Sequence, residues 1–441
     1  MKRCTGLLLG AFAAFGTLAT TGAQAADLLD IYREAVSNDA QYAAARAQLE
    51  AGKEKLPQGR SGLLPNIGLS AGTSYNMVDA DRPINLERDY NSNSYQLRLT
   101  QPLFRWQNWV AYRQGEIQVG IAEAQFLQAK SDLIVRTSQA YFDVLYAEDV
   151  LSAVSALKTA NSEQLGLAKK SFEVGTVTIT DVNEAQSRYD LTAAQEIAAQ
   201  ADLEIKRNAL RVLTGRDPEV LAKLREGVQL ISPQPSDLES WVRAAEQSNP
   251  NVQAQNLSAE FAKREVERSR AGHLPTLDLV ASNGRNHASG SVSGQESLSR
   301  SNVVGLELQL PIYQGGATQS RVREASALYD KARSDLENVR RNAAQLARQS
   351  YLGTTSGIAQ VKGYEAAMVS GRSSLESNKL GYEVGVRINI DVLNAQTQLA
   401  DTYAKLQKAR YDAIIAQLRL KSAAGSLAEP DVEQVNTLLN R

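Results

Sequence analysis

Four segments of the chain alternate apolar residues with small or polar ones, the pattern that predicts β-strands with two different faces. The first covers 66–77, and the second surrounds Leu97 and Leu99. The second half of the chain repeats the pattern, with alternating apolar residues at Leu277, Leu279 and Ala281, then at Val304, Leu306, Leu308 and Leu310. We therefore predict two pairs of strands, with polar connectors at 79–92 and 285–301.

A long stretch without proline follows each strand pair, at 103–217 and at 312–429. Both stretches are rich in good helix formers, and proline would break a helix interior. In each of them a glycine followed by β-branched residues, Gly175 or Gly385, predicts the turn of a helical hairpin.

The lengths of the predicted helices exclude a compact globule. Helices at 108–174 and 318–384 would each be about 100 Å long at 1.5 Å per residue. Shorter helices of about 50 Å each would return alongside them, at 181–215, 238–272, 391–425 and 27–62. The chain is therefore expected to be elongated.

The second half of the sequence repeats the first at an offset of about 210 residues. Gly62-Leu63-Leu64-Pro65 returns as Gly272-His273-Leu274-Pro275, and Phe172-Glu173-Val174-Gly175 returns as Tyr382-Glu383-Val384-Gly385. We predict an internal two-fold repeat with units at 26–215 and 238–425. A polar equatorial joint at 216–237 connects the units, and a polar tail follows at 426–441.

The amino-terminal segment 1–25 has the pattern of a signal peptide. A basic start precedes an apolar run at 7–18, and small residues at 23–25 form a cleavage site. The mature chain is expected to begin near Ala26, and Cys4 would be discarded with the signal.

Composition excludes several classes of function. The 48 Lys and Arg balance 49 Asp and Glu, for a net charge of −1, which argues against a nucleic-acid partner. Cys4 is the only cysteine, and the only histidines are His273 and His287. We therefore expect no catalytic residues, no cofactor and no metal site. The chain is also too polar for a bundle of membrane-spanning helices, since only 43% of it is hydrophobic.

Four strands are too few to cross a membrane alone. An open sheet edge in lipid leaves backbone groups unpaired, and single-chain barrels have at least about eight strands. If the strands span a membrane, two or three chains must combine their strands in one barrel. The alternative is a water-soluble sheet with one face exposed to water. Aromatic residues favour the membrane, because Trp and Tyr are enriched at its interfaces: Phe104, Trp106, Trp109 and Tyr313 follow the second and fourth strands.

Motifs at 62–65, 101–104, 172–182 and 382–393 carry a resemblance to a known family. With these motifs, the chain closely resembles the TolC-like outer membrane factors over essentially all of the mature sequence. The resemblance implies a mainly α fold with transmembrane β-strands. In this fold a homotrimer forms a twelve-stranded β-barrel in outer-membrane lipid, with four strands per chain, and a long α-helical barrel continues it into the periplasm.

The same resemblance implies an exit duct of a tripartite export system. Such a duct works with a periplasmic adaptor and an inner-membrane pump of the ABC or RND type, in type I protein secretion, multidrug efflux or both. The alternative is a periplasmic coiled-coil scaffold or adaptor without a channel. An adaptor would usually carry a compact β-domain, and the sequence does not predict one.

Residue roles carried over from the family concentrate at the hairpin tips. The resemblance implies an iris-like gate held by Thr180 and Asp181 on the first tip and by Tyr382 and Arg387 on the second. Without the resemblance, Asp181 and Arg387 read as solvated turn residues, and Tyr382 as a packing residue.

The resemblance also places a lumen constriction and a docking site near the tips. Asp391 matches an acidic lumen position, and Asn394 stands where efflux members often carry a second aspartate, so we expect a weaker acidic ring. Gly175 and Gly385 match the tips on which an adaptor docks.

Overall fold

Long antiparallel helices make up most of the chain, and a four-stranded sheet lies at one end of them. The computed structural model describes residues 25–80, 86–217, 220–225, 227–291 and 293–440. Of the predicted signal peptide, only Ala25 lies within these residues. The helices are α1 (Leu28–Asn38), α2 (Ala40–Lys53), α3 (Lys55–Ser61), α4 (Trp106–Glu173), α5 (Ile179–Thr214), α6 (Leu238–Ser248), α7 (Pro250–Arg270), α8 (Ala317–Glu383), α9 (Asn389–Ala423) and α10 (Glu429–Asn436).

The two long predicted helices are confirmed. Helix α4 has 68 residues and α8 has 67, and each is therefore about 100 Å long at 1.5 Å per residue. The return helices α5 and α9 have 36 and 35 residues. Among the described residues, no helix has an apolar stretch long enough to cross a membrane.

Two of the predicted 50 Å helices are wrong, because each is interrupted. The segment 27–62 forms α1, α2 and α3, and 238–272 forms α6, α7 and a short 3-10 turn, Ala271–His273. Asp39 starts α2 by accepting a hydrogen bond from the backbone N–H of Tyr42. Asn249 starts α7 in the same way, followed by Pro250 in its first turn. At both positions the capping residue has an extended backbone, so one helix ends there and the next begins.

The sheet is an antiparallel meander in the order β1-β2-β3-β4. Its strands are β1 (Asn66–Ala80), β2 (Leu86–Phe104), β3 (Thr276–Ala288) and β4 (Ser297–Gln309). The predicted connectors are too long, because pairing continues through Asp79 opposite Glu87 and Arg285 opposite Arg300. Hydrogen bonds between polar side chains stabilise the strand pairing far from the helices; for example, Tyr75 Oη donates to Asp89 at 3.0 Å. Hydrophobic alternation cannot detect a strand with two polar faces.

Within the described residues, the helices form a layer with two uncovered edges. At the end remote from the sheet the neighbours are α5, α4, α9 and α8 in that order, and nearer the sheet they are α2 and α3, then α4, α7 and α8. Helix α3 leads into β1, and β4 leads into α8. The edge of the layer at α2, α3 and α5 therefore continues into strand β1, and the edge at α8 continues into strand β4.

The largest hydrophobic core lies where both ends of the chain meet the joint. It joins α1, α4, α5, α9 and α10. Ala26 pairs with Leu221, and Leu439 pairs with Leu224. The buried Tyr141 donates its hydroxyl to the carbonyl of Ala222 at 2.6 Å, and burial raises the pKa of that hydroxyl. The segment predicted as a polar tail thus contains α10, which this core partly buries.

Candidate functional site

The first hairpin tip is closed by a glycine turn and a capping box. Gly175 has φ 77°, a left-handed conformation that glycine adopts without strain. At the start of α5 the Asp181 carboxylate accepts hydrogen bonds from the backbone N–H and the hydroxyl of Thr178, both at 2.8 Å. Thr180 is exposed. Asp181 therefore has a structural role as a cap within its own chain.

The second tip has a similar turn but a looser polar arrangement. Gly385 has φ 79°, and the backbone N–H groups of Val386 and Arg387 donate to the carbonyl of Gly381. The Arg387 guanidinium lies 3.6 Å from the Asp391 carboxylate, and the Arg387 side chain is 58% exposed. Tyr382 is partly buried. The Arg387–Asp391 pair is too exposed and too long to hold Arg387 in place, since exposed pairs contribute at most about 1 kcal/mol.

Within one chain the predicted gate residues stay in two separate groups. In the described residues no hydrogen bond or ion pair joins Thr180 or Asp181 to Tyr382 or Arg387. The tips meet instead through an apolar cluster in which Leu393 of α9 packs on Leu165 of α4.

A cross-hairpin hydrogen bond beside this cluster involves a residue that the sequence reasoning missed. Arg188 on α5 donates from Nη2 to Oδ1 of Asn394 on α9 at 3.0 Å. Helical spacing in the sequence could have pointed to Arg188, because this residue lies two turns beyond Asp181 and therefore on the same side of α5.

One face of the sheet carries charged side chains of both signs. Arg98 lies 3.7 Å from Glu307. Asp278, directly opposite Glu307, accepts a bidentate hydrogen bond from the Arg105 guanidinium, whose Nε lies 2.8 Å from Oδ1. The Asp278–Arg105 bond ties β3 to the residue that precedes α4.

The opposite face of the sheet is apolar and uncovered. Leu69 is 73% exposed, Met77 76% and Val304 78%. Exposed apolar patches of this kind mark contact with lipid or with another protein.

This apolar band crosses the strands obliquely. Its middle is the row of paired residues Ile67, Leu99, Ala281 and Val304. In the next row away from the helices β1 and β2 carry Leu69 and Leu97, whereas β3 and β4 carry Asn283 and Asn302. An oblique band is expected when strands cross a bilayer with a tilt of about 35–45°.

Exposed aromatic residues cluster at the junction of sheet and helices. Phe104 ends β2, Trp106 begins α4, Trp109 follows within its first turn, and Tyr313 lies between β4 and α8. Each is at least 40% exposed. Their common position at one border of the apolar face is the feature expected of a membrane-interface belt.

Candidate metal ligands and histidines occur in several places across the residues that the structure describes. No group of three or more His, Cys, Asp or Glu side chains that could hold a metal occurs among the described residues. His287 pairs with Glu296 at 2.6 Å near the far end of the sheet.

Comparison with known proteins identifies relatives over the full length. The sequence model of the family described as "Outer membrane efflux protein" matches the chain twice, at residues 31–216 and 241–426. Outer membrane protein TolC of Escherichia coli is 35% identical, with 100% of this chain and 90% of that protein covered. The proteases secretion protein PrtF of Dickeya chrysanthemi is 33% identical, with 95% and 92% covered.

A solved structure shares the fold. The CmeC outer membrane channel of Campylobacter jejuni matches with a TM-score of 0.80 at 20% identity, covering 94% of this chain and 90% of that one. Together with the matched family model, these likenesses confirm the resemblance seen in the sequence motifs. The chain belongs to the outer membrane efflux protein family, a family of outer-membrane transport channels rather than of enzymes.

Proposed function

We propose that three copies of this chain form the outer-membrane exit duct of a tripartite export system. Each copy contributes four strands to a twelve-stranded barrel in the outer membrane and four long helical segments to a periplasmic tunnel. A periplasmic adaptor and an inner-membrane pump of the ABC or RND type complete the system.

The observation that carries the proposal is the pair of matching free edges. Strand β1 and helices α2, α3 and α5 form one edge of the protomer, and β4 and α8 form the other. An unpaired strand edge in lipid costs several kcal/mol for each unsatisfied backbone group. Pairing β1 of one copy with β4 of the next satisfies both edges and brings the helical edges together over the whole length.

The strand count and the family resemblance together support three copies. Closed barrels of this class have an even number of strands, from eight upwards. Two chains would give eight strands, whose interior is filled by side chains, so a water-filled duct needs a wider barrel and therefore more than two chains. The family resemblance implies three. The charged face with Arg98, Asp278 and Glu307 would line that interior, and the exposed apolar face would contact lipid.

The internal repeat makes such a tunnel nearly regular. The two family matches and the nearly equal lengths of α4 and α8, and of α5 and α9, support a duplicated unit. The helix breaks at Asp39 and Asn249 fall at equivalent places in the two units. We assign the units to 26–215 and 238–425, with the joint at 216–237 and the segment 426–441 forming an equatorial belt.

The gate is the part of the proposal that needs neighbouring chains. Arg387 is exposed and only loosely paired with Asp391, so it is free to contact Thr180 or Asp181 of an adjacent copy. Tyr382 would contribute a second link. Six exposed links, two from each of the three chains and each of up to about 1 kcal/mol, are weak enough for a docked pump to release. The adaptor would dock on the turns at Gly175 and Gly385, which stand free of other side chains.

Protein secretion, drug efflux or both remain the proposed transport tasks. The name of PrtF describes the secretion of proteases, and PrtF is 33% identical to this chain, which supports secretion as one task of this chain. Deleting the gene and measuring both the extracellular protein content and the minimum inhibitory concentrations of drugs distinguishes the two tasks.

Purified protein in detergent tests the duct itself. The expected result is a particle with the protein mass of three chains that conducts ions in a planar bilayer. The coiled-coil scaffold predicts instead a protein that leaves the membrane fraction and shows no conductance. That outcome would reject the proposal.

A further inference from the structure

Arg188 is anchored at its backbone and extends its charge to the neighbouring hairpin. Its carbonyl accepts a hydrogen bond from the Thr192 hydroxyl at 2.7 Å, and that hydroxyl accepts one from Nδ2 of Asn161 on α4 at 2.8 Å. Asn161 and Thr192 are both buried. The guanidinium spans the gap to Asn394 on α9. The residue is therefore fixed to the first hairpin while its charge lies against the second.

That charge has no carboxylate partner in the described part of the chain. Asn394 is neutral, and Glu184, one turn earlier on α5, forms no ion pair with Arg188. The nearest acidic position on α9 is Asp391, one turn before Asn394, and it already faces Arg387 at 3.6 Å. Asp391 thus has the Arg387 guanidinium beside it, and the Arg188 guanidinium is bound one helical turn further along α9, at Asn394.

The packing order places this group on one particular face of the helical layer. Helices α4 and α8 border a groove whose floor is α9, lined by residues such as Leu157, Arg372 and Tyr403. Asn394 lies nine residues before the groove-lining Tyr403, which is about two and a half turns of α9 and therefore the opposite side of that helix. Arg188, which bonds to Asn394, therefore lies on the face opposite to the groove with Arg372. The proposed duct turns this face towards its lumen, where the family resemblance places Asp391.

We propose that Arg188 sets the charge selectivity at the narrow end of the duct by opposing Asp391. The inference rests on the proposed function. A ring of three carboxylates alone would favour cations. In the proposed closed gate Arg387 faces Asp181 of the adjacent copy, so the three Arg188 guanidinium groups remain to offset the three Asp391 carboxylates. Cargo of either sign then passes, including polypeptides with mixed charges. Arg188 is then a selectivity-determining residue in addition to Asp391.

The reversal potential across planar bilayers under a KCl gradient tests this proposal. We expect a ratio of K⁺ to Cl⁻ permeability near one for the wild-type trimer. Arg188→Gln should raise that ratio roughly twofold or more at 0.01 M ionic strength, where the Debye length is about 30 Å, and much less at 1 M. Asn394→Asp should also raise the ratio of K⁺ to Cl⁻ permeability, because the new carboxylate would pair with Arg188 and neutralise its charge.

Two variants separate charge from structure. Arg188→Lys keeps the positive charge but loses the planar set of N–H donors of the guanidinium, and it should retain the wild-type permeability ratio. Arg372→Gln removes an arginine from the opposite face at a similar height, and it should leave the ratio unchanged. The inference would be overturned if the channel conducts but Arg188→Gln does not change the permeability ratio, or if Arg372→Gln changes it equally. The proposed function as a duct would then still stand. A wild-type protein that forms no channel would overturn both.

Discussion

An arginine on the apolar face of β1 tests whether that face lies in lipid. Leu69 is exposed in the single chain and pairs with Leu97. The next residue, Ser70, points to the other face and pairs with Gln96. Leu69→Arg and Ser70→Arg therefore place the same charge one residue apart on opposite faces of one strand.

The expected difference between the two variants follows from the position of Leu69. It lies about 10 Å from the start of β1 at 3.3 Å per residue, between the interface and the middle of a bilayer. Arginine facing lipid costs about 2–4 kcal/mol at the midplane and 0–1 near the interfaces, so about 2 kcal/mol per chain is expected, and about 6 per trimer. In water the same surface change would alter stability by about 0.5 kcal/mol at most.

The measurement is the amount of assembled oligomer in outer-membrane fractions and its resistance to heat in detergent. Leu69→Arg should lose most of the oligomer, since about 1.4 kcal/mol corresponds to a tenfold change in an equilibrium. Ser70→Arg should assemble like the wild type. Normal assembly of Leu69→Arg would show that the apolar face is not in lipid. Equal loss in both variants would place the defect in the strand rather than in its face.

Three further changes address the gate, the equatorial core and the turns. Arg387→Ser combined with Tyr382→Phe should raise single-channel conductance, since losing two links in each of three chains, of up to about 1 kcal/mol each, increases the open population roughly tenfold or more. Arg136→Ala should destabilise the protein by about 2 kcal/mol or more at pH 7, because it leaves the buried Asp39 unpaired; thermal unfolding in detergent measures this. Gly425→Ala should destabilise more than Gly385→Ala in the same assay: both have positive φ, strained by about 1–2 kcal/mol with a side chain, but only at 425 would the added Cβ overlap a backbone carbonyl, that of Ser248.

Each of these predictions has a control and a contradicting outcome. For the gate, Lys405→Ser removes an ion pair of α9 away from the tip and should not change conductance; an unchanged conductance in the double variant would reject the gate assignment. For the core, Arg211→Ala breaks an exposed pair with Asp217 and should have little effect. Similar losses from Arg136→Ala and Arg211→Ala would contradict the burial argument. Equal stability of the two glycine variants would contradict the steric one.

The effect of Arg136→Ala should also depend on pH. Burial alone would raise the pKa of Asp39, but hydrogen bonds from Arg136 and from the backbone N–H of Tyr42 outweigh burial and lower that pKa below its ordinary 3.8. A carboxyl with a lowered pKa stabilises the fold above its ordinary pKa, and the contribution is lost as pH falls through the folded-state value. The difference between wild type and Arg136→Ala should therefore shrink as pH falls below 3.8. A constant difference from pH 7 to pH 3 would refute the linkage.

Sequence patterns determined the long helices and the cores of the strands. Proline-free stretches and turn glycines located α4, α5, α8 and α9 to within two residues, because a helix of this length depends on local propensity along its whole course. The alternation of Ile67 and Leu69 likewise located the apolar face of β1. These features are periodic, and periodicity is visible without the fold.

The features that sequence patterns missed depend on particular contacts. The strand ends with two polar faces have no alternation to detect. The helix breaks at Asp39 and Asn249 follow from single capping residues, although Asn249-Pro250 was a readable helix start. The bond between Arg188 and Asn394 joins residues 206 positions apart. Only the packing of α5 against α9 brings them together.

The pairing of both chain ends with the joint has a consequence for biogenesis. Leu29 near the amino terminus hydrogen-bonds to Asn436, 407 positions later in the chain, and the Arg225 backbone N–H donates to the carbonyl of Leu438. The core that joins α1, the joint and α10 can therefore close only after residues 429–439 have been exported. A polypeptide terminated before α10 would leave the apolar residues of α1 uncovered, so we expect periplasmic proteases to degrade such truncated chains before they assemble.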